Sequence, residues 1–254
     1  MNDAVLVTKE NGVMIVTINR PEAKNAINKQ VAEGISAAMD ELDSNDELQV
    51  AILTGAGGTF CSGMDLKAFV SGELPVVPGK GFGGLCEKQP SKPLIGAVEG
   101  YALAGGFELL LSCDLIVAAD NSKFGIPETK RGLAAGAGGL LKLPRQVPYR
   151  IGLEMALTGD FFTAQRAYEI GLINRVVEAG AALTGAMQLA ATIAANGPLA
   201  ILASKKIMKA SLDWSTEEMF AKQAPLIAGV FSSEDAREGA IAFAQKRKPN
   251  WKGK

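Results

Sequence analysis

Two glycine-dense turns, each lying between a β-type run and an apolar run of helical spacing, constrain the fold of this chain most strongly. They are residues 61–66 (CSGMDL) and residues 100–108 (GYALAGGFE). The first N–H groups of a helix have no partner inside that helix, so each turn can present amide donors toward a cavity. The sequence therefore predicts an α/β fold in which two turns of this kind face one site.

Two glutamates accompany these turns. Glu108 stands just inside the second predicted helix, before three leucines, and Glu128 follows 20 residues later in FGIPE. A glutamate near a helix start is commonly a solvated residue that offsets the helix dipole, and glycine turns often serve only close packing. The order of all four elements within 68 residues favours acid–base chemistry beside a carbonyl group.

Composition excludes several other mechanisms. The chain has no histidine, which removes Ser-His-Asp and Cys-His nucleophilic sites and zinc sites with imidazole ligands. The three cysteines, Cys61, Cys86 and Cys113, have no CxxC spacing, and their odd number argues against a disulfide framework. We expect reduced thiols, a cytoplasmic location and no metal centre.

The net charge of −1 over 254 residues gives no electrostatic reason to expect nucleic acid or an anionic membrane as a partner. No apolar run approaches 18 residues without a charge, and the first residues lack the basic-then-apolar pattern of a signal peptide. We therefore expect neither export nor a membrane span, and a chain of this length fits one large domain or a core with a small appendage.

The pattern of strands and helices indicates a repeated unit. Val5–Thr8 and Val13–Ile18 predict a hairpin, Asn25 or Asn28 can cap a helix that runs to about Leu42, and residues 50–55 predict a buried strand. This ββα order returns near residues 94–98 and 115–118, while residues from 181 onward show only helical patterns. We assign residues 1–190 to an α/β core and residues 191–254 to a helical region.

Two further glycine-rich stretches need an interpretation. Residues 70–88 hold seven glycines and prolines and predict a mobile loop, which could shape a ligand pocket or be only a surface connector. Residues 132–139 match neither a P-loop nor a dinucleotide-binding fingerprint. We interpret their glycines as allowing a helix start to pack against the wall of the active site.

Four segments resemble the crotonase superfamily, the enoyl-CoA hydratase/isomerase group. They are residues 60–67 (FCSGMDLK), 100–108 (GYALAGGFE), 124–128 (FGIPE) and 134–139 (AAGAGG), and the likeness extends from residues 19–21 (NRP) to residues 243–248 (FAQKRK). The resemblance implies a crotonase-like spiral of ββα units with a C-terminal helical oligomerisation region. It also implies a homotrimer or a dimer of trimers, and an acyl-CoA thioester substrate with no separate cofactor.

The resemblance also implies roles for individual residues. The backbone N–H groups of Met64 and Gly105 would form an oxyanion hole, and Glu108 and Glu128 would bracket a water molecule, with either one as acid and the other as base. The residues that would contact coenzyme A are Lys24, Met64, Asp65, Leu66 and Lys67, together with Phe243 and Lys246 from a neighbouring subunit. Lys24 and Lys246 fit equally well as solvated surface lysines.

The presence of both glutamates favours hydration of a 2-trans-enoyl-CoA over the reactions of relatives that keep only one. However, residues 129–133 (TKRGL) carry charges where many fatty-acid hydratases are apolar, and this stretch also looks like that of carnitinyl-CoA dehydratases. A carnitinyl-CoA-type dehydratase and a Δ3-Δ2-enoyl-CoA isomerase therefore stay open. An acyl-CoA-binding protein without catalytic activity is the alternative from another class.

Overall fold

The computed structural model describes residues 4–254, which form eleven strands and ten α-helices. The strands are β1 (Val5–Glu10), β2 (Val13–Ile18), β3 (Val50–Gly55), β4 (Val76–Val77), β5 (Gly81–Phe82), β6 (Leu94–Val98), β7 (Tyr101–Leu103), β8 (Leu115–Ala119), β9 (Lys123–Gly125), β10 (Phe162–Thr163) and β11 (Arg175–Val177). The helices are α1 (Lys29–Ser44), α2 (Leu66–Val70), α3 (Gly105–Leu110), α4 (Gly139–Gln146), α5 (Tyr149–Thr158), α6 (Ala164–Glu169), α7 (Ala182–Ala194), α8 (Pro198–Ser211), α9 (Met219–Phe231) and α10 (Glu234–Ala244). Two 3₁₀ helices span Pro21–Ala23 and Pro127–Arg131.

The strands form a six-stranded sheet in the order β1-β2-β3-β6-β8-β11 and a three-stranded sheet in the order β10-β9-β7. In the large sheet β1 and β2 are antiparallel, whereas the other neighbours are parallel. The chain repeatedly places one strand in the large sheet and the next in the small sheet before a helix, as in β6-β7-α3 and β8-β9-α4. This confirms the predicted α/β spiral of ββα units.

The central strands of the large sheet are buried on both faces. One face shares the main core with α1 and α3, through side chains such as Met14, Leu53 and Phe107. The other face is covered by α7, whose Ala186 and Ala190 pack against strand residues of β2, β3, β6 and β8. The boundary predicted at residue 190 falls inside α7, and the division into core and helical region stays a prediction.

Most elements begin and end where the sequence pattern predicts. The Asn28 side chain caps α1 by accepting a hydrogen bond from the Val31 amide at 3.0 Å, whereas Asn25 does not cap this helix because its side chain is buried elsewhere. Helix α9 begins at Met219, after a turn at residues 216–218. No single helix among residues 4–254 is long and apolar enough to cross a bilayer; α7 and α8 meet that test only as a pair bent by 108°.

Residues 70–88 contain structure where the sequence predicts a mobile loop. Strands β4 and β5 form a short hairpin, and the Gly83 amide closes it onto the Pro75 carbonyl at 2.8 Å. The Lys80 ammonium group then joins the hairpin to α1 through the Ser36 carbonyl and the Asp40 carboxylate. The glycines of this stretch therefore serve a hairpin that is attached to the core.

Candidate active site

Three parallel backbone segments end at the same edge and bring the predicted site residues together. Strand β7 runs parallel to β9, with Leu103 opposite Gly125, and Cys61 forms a parallel bridge to Ala102 on the other side of β7. Ligand sites in α/β proteins commonly lie beyond the carboxyl ends of parallel strands. The three segments run into Met64, into Gly105 and Glu108, and into Glu128, so the topology places both turns and both glutamates at one edge.

The two glycine turns are in direct contact through Gly63. Its φ of +111° is a conformation that residues with a side chain rarely adopt. A Cβ atom at this position would lie 3.0 Å from the Ala104 Cβ and 3.4 Å from the Gly105 amide nitrogen. Within residues 4–254, neither the Met64 amide nor the Gly105 amide donates a hydrogen bond to another protein group. Two adjacent turns thus each offer at least one free donor.

Glu108 is almost completely buried, with 3% of its surface exposed, and its carboxylate has defined partners. Its Oε1 atom accepts hydrogen bonds from the amides of Ala137 and Gly139, each at 2.8 Å. Gly139 is the first residue of α4, and a helix N-terminus favours a negative charge. Burial raises the pKa of Glu108, whereas the two amides and the nearby Lys142 ammonium group act in the opposite direction. The site therefore buries this carboxylate and also stabilises its charge.

Glu128 lies in the 3₁₀ helix that follows β9, and its carboxyl group is less well supported. Its Oε2 atom is buried and has no hydrogen-bond partner among the described residues. Burial raises the pKa of Glu128, and a hydrogen bond from its own backbone amide acts in the opposite direction. The negative charge of Glu108 adds to the rise, and Arg131 opposes it to a smaller extent. The two carboxyl groups thus share one region but have unequal environments.

An apolar cavity of about 340 Å³ opens beside Glu128. Its lining also includes Ala135 and side chains of α4 and α5. A Cβ atom at Gly139 would lie 3.0 Å from the Glu108 Oε1 and 3.4 Å from the Ala135 Cβ, so the Glu108 carboxylate lies next to this lining. A larger cavity of about 1020 Å³, between the core and α8, includes neither glutamate in its lining.

The residues predicted to contact coenzyme A fall into two groups. The side chains of Lys24, Leu66 and Lys67 are exposed beside the first turn, where the Lys24 carbonyl accepts a hydrogen bond from the Ser62 amide at 3.0 Å. Asp65 caps α2 by accepting hydrogen bonds from the amides of Lys67 and Ala68. Met64 directly precedes Asp65. The residues of the first group therefore all lie near the free Met64 amide.

The second group lies at the end of the chain. Phe243 is in α10 and Lys246 follows it, and both side chains are exposed. Neither residue lines the cavity beside Glu128. Their predicted contribution to the site of a neighbouring subunit therefore stays a prediction.

Two features of the site were missed by sequence reasoning. The amides of Ala137 and Gly139 hold the Glu108 carboxylate across about 30 residues of chain. The glycine cluster at residues 132–139 predicts a helix start near the site, but no local pattern identifies the carboxylate that it binds. The second feature is the ion pair of Arg20 with Asp65. The only sequence signal near it is the NRP segment at residues 19–21, which does not identify Asp65 as the partner of Arg20.

Comparison with known proteins agrees with this geometry. The family model for enoyl-CoA hydratase/isomerase matches residues 8–254. The chain is 41% identical over 260 residues to the enoyl-CoA hydratase EchA19 of Mycobacterium tuberculosis, covering 98% of this chain and 96% of that one. It is also 41% identical over 262 residues to the carnitinyl-CoA dehydratase of Salmonella arizonae, over the full length of both.

A solved structure gives the same result. The crystal structure of an enoyl-CoA hydratase from Mycobacterium tuberculosis H37Rv superimposes with a TM-score of 0.98 at 57% identity, covering 99% of this chain and all of that one. The family model, the relatives and this structure all extend over essentially the whole chain. The protein therefore belongs to the enoyl-CoA hydratase/isomerase family and is an enzyme of the hydro-lyase class with the crotonase fold.

Proposed function

We propose that this enzyme is an enoyl-CoA hydratase that adds water reversibly across the double bond of a 2-trans-enoyl-CoA. The observation that carries the proposal is the unequal environment of two carboxyl groups: buried Glu108, which is held by two amides, and half-buried Glu128, which lines the apolar cavity. Hydration needs one group that accepts a proton from water and another that delivers a proton to carbon. Unequal surroundings favour the ionised form of one carboxyl group and the protonated form of the other.

In this proposal the thioester oxygen is bound by the amides of Met64 and Gly105. The absence of a protein acceptor for either amide supports this role, and so does the contact of the two turns at Gly63. As water attacks Cβ, electron density moves through Cα and the carbonyl carbon onto the thioester oxygen. One preorganised donor at such an oxygen typically contributes about 3 kcal/mol to transition-state stabilisation.

We assign the base to Glu108 and the acid to Glu128. The two amide donors to Glu108 favour its ionised form, so it takes the proton from the attacking water. Glu128 has a buried oxygen without a partner and faces the charge of Glu108, both of which favour its protonated form. Glu128 then delivers its proton to Cα of the enolate, and proton exchange with solvent restores both groups.

Coenzyme A is part of the substrate, and the proposal uses no separate cofactor. Its phosphates and adenosine would lie over Lys24, Asp65, Leu66 and Lys67, where exposed side chains surround the free Met64 amide. Phe243 and Lys246 of a neighbouring subunit would complete this cleft. The resemblance assigns them to another subunit, and their exposure, together with their absence from the lining of the cavity beside Glu128, supports that assignment.

Dehydration of a carnitinyl-CoA ester is the second candidate. Relatives named carnitinyl-CoA dehydratase match the full length of the chain as closely as EchA19 does. The charged stretch after Glu128 also distinguishes this chain from many fatty-acid hydratases, although Lys130 forms an ion pair with Asp160 at 2.6 Å. The same two carboxyl groups would serve either reaction, so the difference lies in the acyl group.

A panel of thioesters tests the proposal. Hydration of crotonyl-CoA and of longer 2-trans-enoyl-CoA esters is followed by the loss of ultraviolet absorbance of the conjugated thioester. We expect turnover of at least one linear ester at a higher kcat/KM than that for a carnitinyl-CoA ester assayed in the dehydration direction. A preference for the carnitinyl ester would establish the second candidate, and formation of conjugated thioester from a 3-enoyl-CoA alone would establish an isomerase. Affinity for these esters without any turnover would identify a binding protein.

A further inference from the structure

The backbone around Met64 is held by contacts that converge on Arg20. Residues 26–27 lie beside residues 63–65 as a short parallel bridge. In this bridge the Ile27 amide donates to the Gly63 carbonyl at 2.8 Å, and the Asp65 amide donates to the Ile27 carbonyl at 2.9 Å. Both residues that flank Met64 are therefore fixed by Ile27, and the Met64 amide between them is left free.

The Arg20 guanidinium group contacts both backbone segments of this bridge. Its Nη1 donates to the Ala26 carbonyl at 2.6 Å, and its Nη2 donates to the Asp65 Oδ2 at 2.9 Å. The two charged side chains are only 19% and 14% exposed, and a partly buried ion pair of fixed geometry restrains its backbone more than a solvated one does. The fork of an arginine can hold both acceptors at once, whereas a lysine offers a single point charge.

Asp65 uses both of its carboxylate oxygens. Its Oδ1 accepts hydrogen bonds from the amides of Lys67 and Ala68 at 3.0 and 3.2 Å, which caps α2. Although burial alone would raise it, the pKa of Asp65 is lowered by Arg20 and by these two amides. The carboxylate thus connects Arg20 to the first turn of α2 on the far side of Met64.

The turn that carries Arg20 is itself constrained. Lys24 and Asn25 have φ values of +50° and +56°, a conformation that costs free energy for residues with side chains and persists only where neighbours enforce it. The buried Asn25 side chain accepts a hydrogen bond from the Arg20 amide and donates to the carbonyls of Ala56 and Thr59. Arg20 therefore stands on a rigid support.

We propose that Arg20, through Asp65 and the Ala26 carbonyl, clamps the backbone on both sides of Met64 and so positions the Met64 amide against the thioester oxygen. The inference rests on the proposed function, because it assigns Arg20 as a positioning residue for the donor that the proposal uses. A displaced donor loses much of its effect on the transition state, since misplacement by about 1 Å can cost about 10²-fold in rate.

Arg20→Met and Arg20→Lys test the clamp, with Lys9→Met as the matched control because it removes an exposed ion pair with Glu41. We expect Arg20→Met to lower kcat by about tenfold to a hundredfold, while the Kd for butyryl-CoA, which cannot be hydrated, changes less than about threefold because most of its contacts remain. Arg20→Lys should recover part of the loss, and Lys9→Met should equal the parent. Asp65→Asn, which keeps an oxygen for the α2 cap, should resemble Arg20→Met, and combining the two changes should add little.

An infrared measurement separates positioning from a general structural role. In butyryl-CoA labelled with ¹³C at the thioester carbonyl, donors that polarise the oxygen lower the C=O stretching frequency relative to the free ester. We expect this lowering in the parent and a shift back toward the free value in Arg20→Met. If the shift persists unchanged in Arg20→Met and Arg20→Lys, the clamp is overturned whatever happens to kcat. If the parent shows no lowering at all, the proposed oxyanion hole is wrong, and the role of Arg20 is wrong with it. Failure of the clamp alone therefore differs from failure of the proposed function.

Discussion

Glu108 is buried and Glu128 is half-buried in the wall of the apolar cavity. Exchanging each for glutamine removes its charge with little change in volume. We expect Glu108→Gln and Glu128→Gln each to lower kcat for enoyl-CoA hydration by about 10²-fold or more, the scale of general acid–base catalysis. The measurement is the ultraviolet assay with crotonyl-CoA, with circular dichroism as a control for folding. If both variants keep nearly the parent rate, these residues do not take part in the reaction.

The raised pKa of Glu128 also predicts a dependence of folding stability on pH. A carboxyl group whose pKa in the folded state exceeds its ordinary value of 4.5 binds a proton more tightly when folded. Its contribution to stability is complete below the unfolded pKa and is lost as the pH rises through the folded pKa. Glu128→Gln cannot ionise, so its melting temperature relative to that of the parent should increase between about pH 4.5 and neutrality.

Thermal unfolding of the parent and of Glu128→Gln across this pH range checks the prediction. Glu10→Gln, at an exposed position at the end of β1, is the matched control and should follow the parent at every pH. Parallel curves for the parent and Glu128→Gln would show that Glu128 ionises as easily in the folded chain as in the unfolded chain.

The local placement of these residues could be predicted from the sequence, but their electrostatic environments could not. The sequence pattern places Glu108 at a helix start and Glu128 at the end of the FGIPE segment. The unequal environments depend on contacts between distant segments, namely the α4 amides that bind Glu108 and the unpartnered oxygen of Glu128. A pattern of neighbouring residues contains no information about such partners.

The start of α4 is the element that fixes the Glu108 carboxylate, and Gly139 is its critical position. A Cβ atom there would lie 3.0 Å from both Cγ and Oε1 of Glu108, closer than ordinary van der Waals contact. In Gly139→Ala the carboxylate must move, which lengthens its hydrogen bonds to the two amides. We expect kcat to fall by about tenfold because the base is displaced from its position, with a smaller change in KM.

Gly136→Ala is the matched control in the same loop, since a Cβ atom there would meet only the Ala134 carbonyl at 3.9 Å. Steady-state kinetics with crotonyl-CoA should give a rate near that of the parent for this variant. If Gly139→Ala is equally active, then the precise position of the Glu108 carboxylate does not limit the reaction.

Elements defined by local periodicity were predicted well, and elements defined by contacts across the chain were not. The β1-β2 hairpin, the buried strands and the helix capped by Asn28 follow from alternation, spacing and a capping side chain. Residues 70–88 were predicted as a mobile loop because glycine marks flexibility in a sequence. The structure shows a short hairpin there, and its Lys80 contacts α1 at residues 40 and 44 positions earlier in the chain. The mobility of the stretch stays a prediction.

At the scale of the whole molecule, the C-terminal helices leave large apolar side chains exposed. Phe220, Phe231 and Phe243 are 74%, 79% and 89% exposed, and apolar surface of this kind marks sites of association. These side chains favour self-association, and the resemblance to the crotonase superfamily adds the number of subunits. We expect a homotrimer or a dimer of trimers in solution, with a mass of about 80 or about 160 kDa for chains of 26.5 kDa. Light scattering coupled to gel filtration measures this mass, and a single species of one chain would contradict the prediction.

The resemblance also implies that each active site uses the end of a neighbouring chain. If Phe243 and Lys246 serve the next subunit, a variant with both changed to alanine should have intact glutamates and a raised KM for the CoA ester, because part of the cleft is missing. Glu128→Gln has the opposite defect, since its catalytic site is inactive and its chain end is unchanged. Co-expression of the two variants should then produce mixed oligomers in which a Glu128→Gln chain completes the site of its neighbour.

Steady-state kinetics of the purified mixed oligomers decide between the two arrangements. When the chain end acts on a neighbour, some sites with intact glutamates receive an intact chain end and recover the parent KM. Neither variant alone contains such sites. When the chain end acts on its own site, the mixture shows only the sum of the two separate variants, because each functional pair of glutamates keeps its own defective end. Recovery is thus a property of the assembly, and it would connect the exposed end of α10 to the chemistry beside Glu128 without any contact between them inside one chain.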